Sequence, residues 1–149
     1  RINKISTKKE LFNGYNFLES GIISAARAFS PNLKKPPFYV DLPYQYKNDS
    51  LVTNKDIMAI WEDNLPLYMV EDYVQNLRSL KALKIDWGGE DGLDKIPLTS
   101  KMFSKKLDSF KIRHCAEEYA GGHNDKIYSD DGRVINELIP FFNMYLEFE

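Results

Sequence analysis

The most regular spacing of apolar and polar positions lies in the second half of the chain. ALKIDWG (82–88) is a short apolar-rich run stopped by Gly88-Gly89 and predicts a β-strand. PLTSKMFSKKLDSF (97–110) spaces Leu98, Met102, Phe103, Leu107 and Phe110 along one side and predicts a helix. IRHCAEEYA (112–120) predicts a second strand, ended by Gly121-Gly122, and VINELIPFFNMYLEF (134–148) predicts a C-terminal helix bent at Pro140. Strand, helix, strand, helix at these lengths is the βαβ unit of a parallel sheet. The right-handed crossover puts the C-terminal ends of both strands on one edge. Open α/β sheets bind their ligands at that edge.

The first half is less ordered. A short helix is expected around Lys8–Phe17, weakened by Gly14. GIISAARAFS (21–30) reads as a strand or a buried helical turn. Residues 30–44 hold four of the seven prolines and should be extended and irregular. NKDIMAIWEDNL (54–65) and LYMVEDYVQNLRSL (67–80) each carry an amphipathic helical stripe.

At 149 residues the chain suits one domain with a real core. A formal charge of −2 offers no electrostatic attraction for nucleic acid or an anionic membrane, and no apolar run reaches membrane-spanning length. The single Cys115 excludes an intramolecular disulfide, and its place in a strand predicts burial. The opening at Arg1, followed by a polar stretch, reads as a fragment or processed product whose compartment is left open.

Two loops carry the chemistry. The first predicted strand runs into Gly88-Gly89-Glu90-Asp91-Gly92, the second into Gly121-Gly122-His123-Asn124-Asp125. A carboxylate and an imidazole on one edge suit an acid that orients a histidine and stabilises its charged form. Asp91-Gly92 is also an ordinary turn pair, and Gly-Gly-His also serves as a plain strand terminator. His114, Cys115, His123 and Asp125 supply ligand types without any zinc spacing, so no metal site is read. His114 and Cys115 are adjacent in a strand and should face opposite ways, with His114 packed or half-exposed.

PPFYVDLPY (36–44), VEDYVQNLRSLKALKIDWGGED (70–91), EEYAGGH (117–123) and LIPFFNMYL (138–146) together resemble the C-terminal part of the esterase family of α/β-hydrolases that includes esterase D-like and enterochelin esterase-like enzymes. The resemblance covers roughly residues 21–149 and rests on the order and intervals of these segments. It implies α/β class: parallel strands alternating with helices, the C-terminal portion of a hydrolase fold without its N-terminal half. The chain then forms one partial domain, with a polar segment at 1–20, a lid- or insertion-like region at 21–80 and the strand–helix–strand–helix unit at 81–149. The resemblance assigns Asp91 as the triad acid and His123 as the general base of a serine esterase, with no cofactor.

The sequence departs from the family in two ways. No serine has glycines at both flanking positions of a Gly-x-Ser-x-Gly elbow, so the nucleophile and oxyanion hole are expected upstream, and this chain alone is expected to be inactive. Gly92 stands where relatives carry an acidic residue, and Glu90 and Asp94 lie close to Asp91. The expected substrate is a small-molecule ester. A half sheet with an open strand edge also predicts association with a second copy or with the missing half. Two alternatives stay open: a non-catalytic binding or assembly domain on the hydrolase scaffold, and an acyltransferase using the same triad. Phe38, Tyr39, Tyr44, Trp61 and Tyr68 are either core or the lining of an acyl- or carbohydrate-facing wall.

Overall fold

The computed structural model describes residue 7 and residues 17–147. The helix expected at Lys8–Phe17 lies outside them except for its last residue. Helices and strands are mixed, and the chain divides into two compact units, one running to Tyr68 and one from Met69.

In the first unit, α1 (Phe17–Phe29) resolves the ambiguity of the small-residue run in favour of a helix. Ile23 and Ala26 lie one turn apart and are buried with Val40, against Phe38, Leu42 and Trp61. Ser30 ties the end of α1 to two later segments: its hydroxyl donates to the Asp41 carbonyl at 2.7 Å and accepts from the Trp61 indole at 2.9 Å. The proline-rich stretch is a series of turns joined by a bridge between Pro31 and Val40. There Asp41 takes a hydrogen bond from Lys35 and another from Asn32, and the two hold its carboxyl below the ordinary range. An unforeseen hairpin comes next, with β1 (Tyr44–Lys47) antiparallel to β2 (Ser50–Thr53). Its two-residue turn, Asn48-Asp49, has both φ angles positive, 48° and 59°, as the twist of a tight hairpin demands. α2 (Lys55–Glu62) begins at Asn54, whose side chain accepts the Ile57 N–H and so satisfies one of the first-turn donors.

The stripe at 67–80 does not form one helix. It is divided into α3 (Pro66–Met69) and α4 (Val74–Ser79), with a turn between them. The break places Val70, 1% exposed, in a core with Leu107 and Ile112, against which Val74 and Leu77 also pack.

The second unit then keeps the predicted order. β3 (Lys84–Gly88) and β4 (Cys115–Tyr119) flank α5 (Lys95–Ser109) and pair in parallel, with Asp86 opposite Glu117 and Gly88 opposite Tyr119. Trp87 and Glu118 hydrogen-bond on one face, where Lys101 of α5 also reaches Glu118 at 2.6 Å. The other face carries Lys84, Asp86 and Glu117, met by Arg133 and Glu137 from the C-terminal segment. Residues Val134–Leu138 form a wide π-helical turn that leads into α6 (Ile139–Tyr145). The expected irregularity at Pro140 is thus taken up just before it, where a proline removes a backbone donor and crowds the carbonyl four residues earlier.

His114 lies just before β4 and not within a strand, and its side chain is packed, 4% exposed. Cys115, expected to be buried, is exposed. It begins β4, and in a two-stranded sheet no further strand covers that edge among the described residues.

Candidate active site

The loops after β3 and β4 are laced together by their backbones. The Gly89 N–H donates to the Tyr119 carbonyl and the Glu90 N–H to the Gly121 carbonyl, both at 2.9 Å. The contact is so close that a Cβ on Gly88 would lie 2.5 Å from the carbonyl oxygens of Gly121 and Gly122. Gly121 adopts φ +137°, open to glycine and strained for other residues. Both glycines are therefore required by the approach of the loops as well as by strand termination.

This lacing brings Asp91 and His123 together. Asp91 Oδ2 lies 2.7 Å from His123 Nδ1, and Asp91 Oδ1 accepts the Leu93 N–H at 2.8 Å. The Asp91 side chain is 1% exposed, whereas that of His123 is 54% exposed. The hydrogen bond from His123, then that from Leu93, holds the Asp91 carboxyl below the ordinary range, against the opposing effect of burial. An ionised carboxylate only accepts, so Nδ1 carries a hydrogen, and in the neutral ring Nε2 keeps its lone pair. Nε2 has no hydrogen-bond partner among the described residues. Glu90 and Asp94, the neighbouring acids, are exposed. Asp91 is the one held against the imidazole.

A cleft of about 220 Å³ opens beside the pair, lined by Asp91 and His123 together with Trp87, Ile96, Tyr119, Ile127, Arg133 and Leu138 among others. It combines apolar walls with one imidazole, the carboxylates of Asp86 and Asp91 and the Arg133 guanidinium, and among the described residues no Ser, Thr or Cys lines it. The one hydroxyl in its lining, that of Tyr119, donates to the carbonyls of Gly122 at 3.1 Å and His123 at 3.4 Å. Asp125, considered in sequence as a metal ligand, instead accepts the Gly122 N–H at 2.7 Å and closes the loop on itself. Among the described residues no three His, Cys, Asp or Glu side chains converge as metal ligands would.

A second serine–histidine contact lies elsewhere. Ser104 Oγ on α5 is 2.8 Å from His114 Nε2, and the Ile112 carbonyl lies 2.9 Å from Nδ1. The carbonyl can only accept, so Nδ1 carries the hydrogen and Ser104 donates to Nε2. Ser104 sits within α5, where backbone N–H groups are engaged in the helix and cannot form an oxyanion hole. This pair braces helix against strand.

Arg133 was not legible as a site residue. Its trace in the sequence is indirect: charged Lys84, Asp86 and Glu117 within two strands of a parallel sheet call for charged partners, and Arg133 supplies one. No family model matches the chain, and no curated protein matches it significantly.

Proposed function

We propose that this chain supplies the acid and the histidine of a serine carboxylic-ester hydrolase, with Asp91 as the acid, His123 as the general base and the nucleophilic serine lying outside these residues. The observation that carries the reading is the asymmetry of the pair: a sheltered, ionised carboxylate fixes Nδ1–H and leaves Nε2 free at the mouth of a largely apolar cleft. Parallel β3 and β4, each ending in one of the two functional loops, support assignment to the C-terminal part of an α/β-hydrolase sheet.

Each step uses that geometry. Nε2 takes the serine hydroxyl proton as the serine oxygen bonds to the ester carbonyl carbon, and Asp91 stabilises the imidazolium. Nε2 returns the proton to the leaving alcohol as the ester C–O bond breaks. It then deprotonates the water that releases the acid from the acyl-enzyme. If another alcohol reaches the acyl-enzyme first, the same residues perform acyl transfer.

Among the described residues no Ser, Thr or Cys lines the cleft, which is consistent with a nucleophile outside them. A binding or assembly domain on this scaffold would share that absence. The unpaired outer edges of β3 and β4 among the described residues, and exposed Ile139, Phe142 and Met144, support association with the nucleophile-bearing half or a second copy. The test joins the chain to its native upstream sequence and measures short-chain aryl ester hydrolysis. His123→Ala should lose on the order of a thousandfold or more in kcat, as triad residues do. An unchanged rate would sink the role given to His123, and no turnover in the joined wild-type chain would favour the binding domain.

A further inference from the structure

The loop that carries His123 is held to the sheet by a relay of contacts outside the acid–histidine pair. Arg133 Nη2 donates to Asp86 Oδ2 at 2.6 Å and Glu117 Oε2 at 3.3 Å, residues directly opposite each other on β3 and β4. The same guanidinium lies over the Tyr119 ring, 4.4 Å from its centroid. The hydroxyl of that ring donates to the carbonyls of Gly122 and His123. Backbone bonds from Arg133 to Lys126 and from Val134 to Ile127 close the loop at its far end.

We propose that Tyr119 is a positioning residue for His123, and that Arg133 sets it in place by stacking on its ring while anchored to the two strand carboxylates. Three features favour this role over direct contact with substrate. Arg133 Nη2 is engaged by both Asp86 and Glu117 and the side chain is only 11% exposed, so little of it reaches solvent, although Nε is buried without a hydrogen-bond partner among the described residues. The planar guanidinium performs two tasks that a lysine ammonium does not combine as well, covering the face of a ring and donating from the same group to two carboxylates. Burial and the nearby Asp86 carboxylate keep the Tyr119 phenol protonated to high pH, so it remains a donor to the loop.

The inference rests on Asp91–His123 being the working pair, but its test reads geometry in the chain itself and needs no turnover. Two readouts are used: NMR titration of the Asp91 carboxyl, and water exchange of the His123 Nδ1 proton, easily assigned in a chain with two histidines. Tyr119→Phe removes only the hydroxyl. It should move the Asp91 titration up toward the ordinary carboxylate range and speed exchange of the Nδ1 proton. Arg133→Lys keeps the charge but not the guanidinium over the ring, and should change both readouts in the same direction by less. Unchanged readouts in Tyr119→Phe overturn the proposal, even if the melting temperature falls, because a structural role alone would give that result. A change in Tyr119→Phe with none in a folded Arg133→Lys overturns the part assigned to Arg133. Should Arg133→Lys fail to fold, Tyr119→Phe decides alone, since Arg133 is held to act through that hydroxyl.

Discussion

Asp91 and His123 share a 2.7 Å hydrogen bond across two loops that belong to different strands, yet one side chain is closed to water and the other is half open to it. The difference assigns their tasks. A sheltered carboxylate is a fixed electrostatic partner, and an accessible imidazole nitrogen can exchange protons with whatever enters the cleft.

The pair should register in the acid stability of the chain. The folded pKa of Asp91 lies below its unfolded value because of the His123 and Leu93 hydrogen bonds. Its contribution is therefore complete above the unfolded pKa and is lost as pH falls through the folded one. Asp91→Asn should lower the melting temperature at neutral pH and lose less on acidification than the wild-type chain does. Glu117 and Glu118, lowered by Arg133 and Lys101 respectively, retain their share of the acid loss in both proteins. Melts recorded from neutral pH to below the ordinary carboxylate range check this. Parallel curves for the two proteins would count against it.

The glycines of the first loop should separate sharply. Gly88→Ala drives a Cβ to 2.5 Å from two backbone oxygens that no rotamer can move. It should cost about 1–3 kcal/mol, as overpacking does, and push the two loops apart. Gly92→Ala meets nothing within 4 Å and should stay within about 0.5 kcal/mol of wild type. Denaturant unfolding of the two variants makes the comparison, and equal losses would mean that the loops do not approach this closely.

Much of the second unit was legible because its signals are local and agree with one another. The Leu98–Phe110 stripe, the glycines after each strand and the crossover length all point to one βαβ unit, and the structure differs from that reading by a few residues at element ends. The hairpin Tyr44–Thr53 has only a weak local signal, two strands of four residues each around Asn48-Asp49, a pair that suits its turn. The broken helix at 67–80 and the exposed Cys115 were not readable for a different reason. Each depends on what packs against the segment, and a periodic pattern carries no record of its partner. The same holds at the site: Asp91 and His123 stand out by their glycine-rich settings, while Arg133, 42 residues beyond Asp91 in sequence, is placed beside them by the fold alone.

The Ser104–His114 contact gives a control in which a serine–histidine pair that involves neither Asp91 nor His123 is broken. Ser104→Ala leaves His114 Nε2 without its donor inside a side chain only 4% exposed. The cost should be about 1–3 kcal/mol, that of an unsatisfied buried polar group. Asp91 and His123 share no partner with Ser104, so the Asp91 titration should be unchanged, and the effects of Ser104→Ala and Asp91→Asn on stability should add. Urea unfolding of the single and double variants measures this. A coupling well above about 0.5 kcal/mol would show that α5 transmits strain to the loops, and Ser104 would then belong to the support of the site.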